Sequence, residues 1–269
     1  MTDTAFDRFA PQHLDDPYPL YAGLRERGPF LADEFGVWVV TRRADVKAVL
    51  GDPARFSSEF LIRTPLQPAP GVTEILATGH PEVFALLNQD PPDHTRVRAL
   101  VAEGGGLTVP ELISLMITLI FGGHETTTNL IGNALVRGVS RWAELGADPD
   151  AAGALVEETL RLDPPVQGTF RRTVAETELG GARIPAGTQV YAALGAANHD
   201  PQGYGEPHLG FGRGIHFCVG AQLARVEAHT VLRALAVRLP GLRLAGRPGY
   251  PANLLHRGPI RLDAVWPVP

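Results

Sequence analysis

A long apolar stretch in the middle of the chain gives the clearest pattern of hydrophobic and polar positions. The run from Leu112 to Gly123 follows Thr108-Val109-Pro110-Glu111, a capping-box sequence with threonine at the N-cap and glutamate three residues later. We therefore expect a helix from this point to about Val139. Its first half is apolar almost all round, a pattern that places it in the middle of a core.

Shorter apolar runs predict further helices and strands. Phe30–Ala32 and Val37–Val40 are strand-like and separated by four turn-forming residues, which predicts a hairpin, and a second hairpin is expected over 181–190. Helices are expected over 19–27, 44–50 and 148–162, and after Cys218 to about Arg238. Residues 57–89 mix proline, glycine and apolar side chains without a period, which predicts a long loop over a site, in reach of a substrate.

Composition limits the class of protein. The 269 residues are 44% hydrophobic, enough for one compact domain over 1–269, and the net charge of −5 argues against a nucleic-acid partner. A single cysteine excludes intramolecular disulfides and suits a reducing compartment. Residues 1–7 lack the features of a secretion signal, and the longest apolar run is shorter than the ~20 residues of a membrane span. We therefore expect a cytoplasmic protein without membrane contact.

That cysteine lies in a glycine-rich loop, Phe211-Gly-Arg-Gly-Ile-His-Phe-Cys-Val-Gly220. The glycines allow a tight bend that brings backbone N–H groups towards the sulfur, and the following helix places its positive N-terminus beside it. Both effects favour a thiolate with a lowered pKa, suited to binding a metal. A buried structural cysteine is the more usual role of a lone cysteine. A structural zinc site is disfavoured, because it needs four ligands and no second cysteine exists.

Two helical segments carry polar residues with two interpretations each. His94 and Arg98 stand four residues apart on one helical face, which suits an anionic ligand or a solvated basic face. In Gly122-Gly-His-Glu-Thr-Thr-Thr128 the glycines and threonines are poor helix formers. They indicate either a close helix crossing or a widened groove for dioxygen, with Thr126 supplying a hydroxyl and Glu125 an acid for proton delivery.

Several of these motifs, in this order along the chain, resemble one family. Phe-Gly-x-Gly-x-His-x-Cys-x-Gly from Phe211 resembles the haem-ligand loop of cytochrome P-450, in which the cysteine ligates the iron. Asp-Pro-Pro-x-His-x-x-x-Arg over 90–98 is similar to the family's propionate-binding helix, and Gly-Gly-x-Glu-Thr-Thr from Gly122 to its oxygen-activating helix. Glu158-x-x-Arg161 resembles its structural ion pair. The resemblance implies a mainly α fold with small β-sheets (α+β).

The resemblance also implies a role for each candidate residue. Cys218 would ligate the iron of haem b, and Glu125 and Thr126 would be catalytic groups that deliver protons during dioxygen activation. The other haem-contacting residues would be His94, Arg98, Arg171 and His216 at the propionates, together with Phe211 and Gly123. Val166, Phe170 and Leu255 would line the substrate pocket. No nucleotide-binding glycine fingerprint follows a strand, so a separate ferredoxin or flavodoxin would supply electrons.

The implied function is a haem-thiolate monooxygenase that inserts one oxygen atom of dioxygen into a small organic substrate, such as a secondary metabolite. The alternative is a truncated haem-binding protein of the same family without oxygenase activity. The chain is short for the family, whose members carry on the order of a hundred further residues at the 102–107 junction. The loop at 203–210, before the cysteine, is also short.

These gaps imply a reduced fold without most of the helical roof over the distal pocket. A naturally reduced relative, an engineered minimal form and an incomplete sequence would each explain the short length. Without the roof, Leu112 to Phe121 would be exposed, and a homodimer would cover it.

Overall fold

The computed structural model describes residues 6–59, 86–103 and 105–267. Most of the loop expected over 57–89 lies outside these ranges, as does Gly104 of the 102–107 junction. The α-helices are α1 Pro11–Asp15, α2 Tyr18–Arg27, α3 Arg43–Gly51, α4 Asp93–Glu103, α5 Val109–Gly138, α6 Trp142–Ala147, α7 Ala151–Leu162, α8 Leu194–Asn198 and α9 Ala221–Arg238. Within the described ranges the fold is mainly α with small sheets, as expected.

The strands form one larger sheet and two small hairpin-like pairs. They are β1 Phe30–Ala32, β2 Val37–Val40, β3 Phe56–Ser57, β4 Thr169–Thr173, β5 Thr177–Leu179, β6 Ala182–Ile184, β7 Gln189–Ala192, β8 Arg243–Leu244 and β9 Ala264–Val265. The larger sheet has the order β1-β2-β7-β4-β3 and contains the predicted β1–β2 hairpin, with Phe30 opposite Val39. Strand β7 runs parallel to β2 and antiparallel to β4.

The hairpin expected over 181–190 is wrong. Strand β6 pairs with the preceding strand β5, with Leu179 opposite Ala182, whereas β7 belongs to the larger sheet. The reason is the Gly180-Gly181 turn, where both residues have positive φ angles (55° and 84°) that glycine adopts without strain. The tight turn therefore lies one strand earlier than expected.

The helical core lies where the second half of α5 packs against α7 and α9. Leu130, Leu155, Leu160 and Leu232 are buried together there. Gly138 permits a close approach, because a Cβ atom at that position would lie 2.3 Å from Leu155 Cδ2. These contacts fix the C-terminal half of α5, and with it the position of residues 122–128.

Helix α5 begins as predicted. Thr108 accepts a hydrogen bond from the Glu111 N–H, and the Glu111 carboxylate accepts one from the Thr108 N–H, which completes the capping box. The placement of its first half in the core is wrong, because large apolar side chains from Val109 to Phe121 are exposed. The close-crossing interpretation of Gly122 and Gly123 is also wrong: among the described residues, no atom beyond the adjoining residues and backbone of α5 lies within 4 Å of a Cβ built on either.

The two short connections are closed by local contacts. Across the 102–107 junction, Arg96 on α4 forms an ion pair with Glu111 at the start of α5. In the 203–210 loop, the buried Arg43 binds the Glu206 carboxylate at 3.1 Å and the Pro207 carbonyl at 2.5 Å. Both connections therefore join neighbouring elements without any intervening helix in the described residues.

Candidate functional site

A cavity of about 1330 Å³ lies between α5, the cysteine loop and the edge of the larger sheet. The predicted site residues that line it are His94, Arg98, Gly123, Thr126, Val166, Phe170, Arg171, Phe211, His216, Cys218 and Leu255. Glu125 is absent from its wall. Segments more than 100 residues apart therefore contribute to one space.

The cysteine loop is shaped by glycines at close approaches. Gly212 and Gly214 have φ angles of 72° and 74°, and a Cβ on Gly214 would lie 2.4 Å from the Leu50 carbonyl oxygen. The Cys218 N–H donates to the Phe211 carbonyl at 3.0 Å, which folds the loop back on itself. Helix α9 begins three residues later, so the thiol lies beside its N-terminus.

The lowered pKa expected for the Cys218 thiol is wrong. Burial of the sulfur raises its pKa, and this outweighs the lowering by the Gly220 N–H and by Arg98 and Arg225. The residue is partly exposed and lines the cavity, but the burial of its thiol disfavours the charged form. A metal cation bound to the sulfur would favour the thiolate.

Four basic side chains meet at one end of the cavity. The rings of His94 and His216 are in edge-to-face contact, with centroids 4.5 Å apart, and the Nε2 atom of each has no partner among the described residues. Arg171 is only 6% exposed and donates to Thr169 Oγ1 at 3.2 Å and to the Phe170 carbonyl at 2.7 Å. Arg98 donates to the Phe217 carbonyl at 3.1 Å. None of these hydrogen bonds is made to a carboxylate.

Burial and nearby positive charges lower the pKa values of three of these groups. Burial, followed by Arg171, His94 and Arg98, lowers the pKa of His216 to about 3. Burial also lowers the pKa of Arg171 to about 10, and burial and Arg98 lower that of His94. The Asp90 carboxylate acts in the opposite direction on His94 and Arg171, but the cluster still holds two buried histidine nitrogens without a hydrogen-bond partner among the described residues, which is unfavourable. An anionic ligand at this end of the cavity would satisfy it, so the residues present fit the two propionates of a haem.

The proposed proton-delivery residues have local partners. The Thr126 hydroxyl donates to the Gly122 carbonyl at 2.5 Å, a bond within α5, and α5 is a continuous α-helix there. The expected widening of the helix is therefore not observed. Glu125 is exposed, and its Oε1 lies 3.1 Å from His256 Nδ1. His256 lines the cavity and was missed by sequence reasoning, because the two residues are 131 positions apart.

The segment around His256 is tightly held. The Gln167 N–H donates to the Leu255 carbonyl at 2.7 Å, and the Arg257 N–H donates to the Pro165 carbonyl at 2.8 Å. The Arg257 guanidinium is 4% exposed and lies 2.6 Å from the Asp163 carboxylate. These bonds bring Leu255 to the same wall of the cavity as Val166.

The ion pair expected between Glu158 and Arg161 is wrong, because Glu158 has a different partner. Among the described residues Glu158 pairs with Arg141 at 3.5 Å, and the neighbouring Glu157 binds Arg225 of α9 at 2.6 Å. Arg161 instead borders a separate cavity of about 440 Å³ beside the short 203–210 loop. The link between α7 and α9 is thus made by the adjacent carboxylate.

Comparisons with known proteins agree on one family. The sequence profile described as "Cytochrome P450" matches residues 152–235. Cytochrome P450 107B1 of Saccharopolyspora erythraea is 41% identical over 207 residues, which cover 68% of this chain and 51% of that protein. Cytochrome p450 CYP199A2 of Rhodopseudomonas palustris is 28% identical over 364 positions, covering 89% and 88%. The crystal structure of the Tepidiphilus thermophilus P450 heme domain has a TM-score of 0.87 at 25% identity, covering 97% and 96%.

The helix-rich fold and a cavity bordered by one cysteine and a basic cluster are the features expected of a haem-thiolate protein. With these matches, the chain belongs to the cytochrome P450 family. It spans about half the length of the curated relatives it matches first. The 364-position alignment exceeds the chain's 269 residues, so at least 95 positions of that relative (364 minus 269) have no counterpart here.

Two further findings concern features that the described residues lack. No helix of the described residues is long and apolar enough to cross a membrane. The described residues also contain no group of three or more histidine, cysteine, aspartate or glutamate side chains arranged to hold a metal ion. Haem b is the cofactor of this family, and Cys218 would be the residue that binds its iron.

Proposed function

We propose that the chain is a haem-thiolate monooxygenase that acts on a small organic substrate. The observation that carries the proposal is one cavity with a cysteine thiol on its wall and, at one end, two arginines and two buried histidines whose Nε2 atoms have no hydrogen-bond partner among the described residues. A thiolate-ligated haem supplies the activation of dioxygen. The protein's residues bind that group, exclude water from it and supply protons.

Each predicted residue has a role in this proposal. Cys218 would ligate the iron, and the cation at the sulfur would offset the burial that now raises the thiol pKa. The basic cluster would hold the propionates by charge-assisted hydrogen bonds: His94, Arg98, Arg171 and His216. Phe211 and Gly123 would contact the haem, and Glu125 and Thr126 would hold and move protons.

The remaining wall suits an apolar substrate. Val166, Phe170 and Leu255 place aliphatic and aromatic groups on it. Burial of such groups against a substrate favours binding by about 25 cal/mol per Å². We therefore propose a small, largely apolar organic molecule, with dioxygen as co-substrate, and keep the cytoplasmic location and the ferredoxin or flavodoxin electron donor as predictions.

Arginines 171 and 172 provide a matched test of cofactor binding. Arg171 is buried at the cavity, whereas its neighbour Arg172 is more exposed and donates to the Gly187 carbonyl at 2.9 Å. A hydrogen bond to a charged group contributes about 1.5–3 kcal/mol. Haem titration of the Arg171→Leu variant should therefore show roughly 10- to 100-fold weaker binding, and Arg172→Leu should bind as wild type. Equal effects would contradict the propionate assignment.

We also propose that a second copy of the chain covers the first half of α5. Its face opposite the buried Ser114 presents Val109, Ile113, Met116 and Ile120, at the 3- and 4-residue spacing of a helix–helix seam. No charged residue lies between Glu111 and His124, and Glu111 is already paired with Arg96. Two copies of this face would therefore meet without charge repulsion.

The first half of α5 exposes a large apolar area. Eight large apolar residues from Val109 to Phe121 have exposed fractions of 37–74%. At about 150–200 Å² per large side chain this leaves roughly 700–900 Å² open around the whole helix, of which the four seam residues contribute about half, while Leu119 and Phe121 line the cavity. An antiparallel pair centred between Met116 and Ile117 buries the four seam residues and places Ile113 opposite Ile120 of the second copy.

Charge substitutions test this arrangement. Ile113→Glu and Ile120→Lys should each give a monomer in sedimentation velocity, because each buries two unpaired like charges near the two-fold axis. The double variant should regain the dimer, since the introduced acid then faces the introduced base of the second copy. A monomeric wild type, or a double variant that stays monomeric, would contradict the antiparallel dimer.

A further inference from the structure

We propose that His256 is a positioning residue that holds the Glu125 carboxylate in place for proton delivery, an inference that rests on the proposed monooxygenase function. Glu125 is exposed and lies off the cavity wall, whereas His256 is part of that wall. Their side chains meet at 3.1 Å between His256 Nδ1 and Glu125 Oε1. His256 is therefore the group through which Glu125 is linked to the cavity.

The chemistry of the contact fixes which nitrogen of His256 carries the proton. An ionised carboxylate accepts hydrogen bonds and donates none, so Nδ1 must be the donor. The neutral ring is then held as the Nδ1–H tautomer, with Nε2 as the acceptor, because the bond made by one nitrogen sets the state of the other. This tautomer is a measurable signature of the contact.

The backbone of His256 is fixed on both sides. Its own N–H donates to Asn253 Oδ1 at 3.0 Å, and the neighbouring Arg257 carbonyl accepts from Asn133 Nδ2 at 3.0 Å. Asn133 is 1% exposed and lies on α5, eight residues after Glu125. The His256 segment and Glu125 are thus attached to the same helix, and a bond between them does not have to order a mobile loop.

Without His256, Glu125 has no other hydrogen-bond partner among the described residues. A long carboxylate side chain on an exposed helix face populates several rotamers. The bond from a fixed imidazole restricts it to the rotamer that meets His256 at the cavity wall. Proton delivery needs a donor within hydrogen-bond reach, so this restriction affects how the reaction divides between product and released hydrogen peroxide.

The first arm of the test reads the contact directly, without turnover. Nitrogen-15 NMR of histidine-labelled full-length protein should show His256 as the Nδ1–H tautomer at a pH where the ring is neutral. In the Glu125→Ala variant the signal should change to that of the Nε2–H tautomer. The same tautomer in both proteins would overturn the proposal.

The second arm compares two substitutions in the haem-loaded protein. His256→Leu removes the donor, and we expect the fraction of electrons lost as hydrogen peroxide to rise about two- to fivefold, the range of a bond of about 0.5–1 kcal/mol. His256→Gln keeps an N–H donor and should restore most of the coupling. His229→Leu, on α9 with its ring against the Pro149 carbonyl at 3.2 Å, is the control.

The outcomes separate the two proposals. A His256→Leu variant with the wild-type peroxide fraction, or a His256→Gln variant as impaired as His256→Leu, would overturn the positioning role while the cofactor assignment stands. A wild-type protein without a thiolate-type spectrum would instead refute the monooxygenase proposal. The tautomer measurement would still decide whether His256 and Glu125 are in contact.

Discussion

Replacing Asp163 with alanine should destabilise the chain more than any exposed ion-pair substitution. Asp163 Oδ1 lies 2.6 Å from Arg257 Nε and accepts a 2.6 Å hydrogen bond from the Tyr18 hydroxyl. Burial lowers the pKa of Arg257, but Asp163 and Tyr18 raise it by more, so the guanidinium stays charged in a protein interior. Removing the carboxylate leaves that charge without a counter-ion.

The size of the effect follows from the remaining partners. Breaking a buried ion pair by removing one partner costs about 3–5 kcal/mol. The Arg257 guanidinium keeps its hydrogen bonds to the Leu14 and Asp15 carbonyls, so we expect the lower end, about 3 kcal/mol. At about 2–4 °C per kcal/mol for a chain of this size, the Tm should fall by roughly 6–12 °C.

An exposed pair on the same terminal segment is the control. Arg261 and Asp263 are 2.8 Å apart, with side chains 79% and 57% exposed. Exposed pairs contribute about 0–1 kcal/mol, so Asp263→Ala should shift the Tm by no more than a few degrees. Thermal unfolding followed by circular dichroism measures both variants. Equal shifts would refute the argument that burial makes the Asp163–Arg257 pair important.

Two further changes test the helices. Hydrogen bonds from Arg96 and Thr108 lower the pKa of Glu111 to about 2, so its contribution to α5 is complete above its unfolded pKa of about 4.3 and is lost as pH falls towards 2. Acid titration of Glu111→Gln, followed by helix content, should lack that part of the pH dependence. Gly138→Ala should cost about 1–3 kcal/mol in urea unfolding through overlap with Leu155, whereas Gly153→Ala, with no atom within 4 Å, should be neutral or stabilising.

Features that depend on neighbouring residues in the chain were predictable from sequence. The capping box at Thr108 and the start of α9 after the cysteine loop follow from short motifs, and the structure has both. The family motifs also identified eleven of the residues that line the cavity. Their side chains come together because the helices, the strand and the cysteine loop that carry these motifs all border the same space.

Features that depend on distant contacts were not predictable. His256 meets Glu125 across 131 positions, and Glu158 pairs with Arg141 through the packing of α7 against the end of α5. The Cys218 pKa was predicted from local dipoles, but burial by the surrounding fold outweighs them. Neither partner choice nor burial is encoded in a local pattern, so both required the three-dimensional structure.

The ligand assignment of Cys218 is the central claim, and one spectrum tests it. Haem-loaded wild-type protein, reduced under carbon monoxide, should show the red-shifted Soret band of thiolate ligation, and Cys218→Ser should lose that band. A wild-type spectrum without the shift, or a Cys218→Ser variant that keeps it, would contradict the claim.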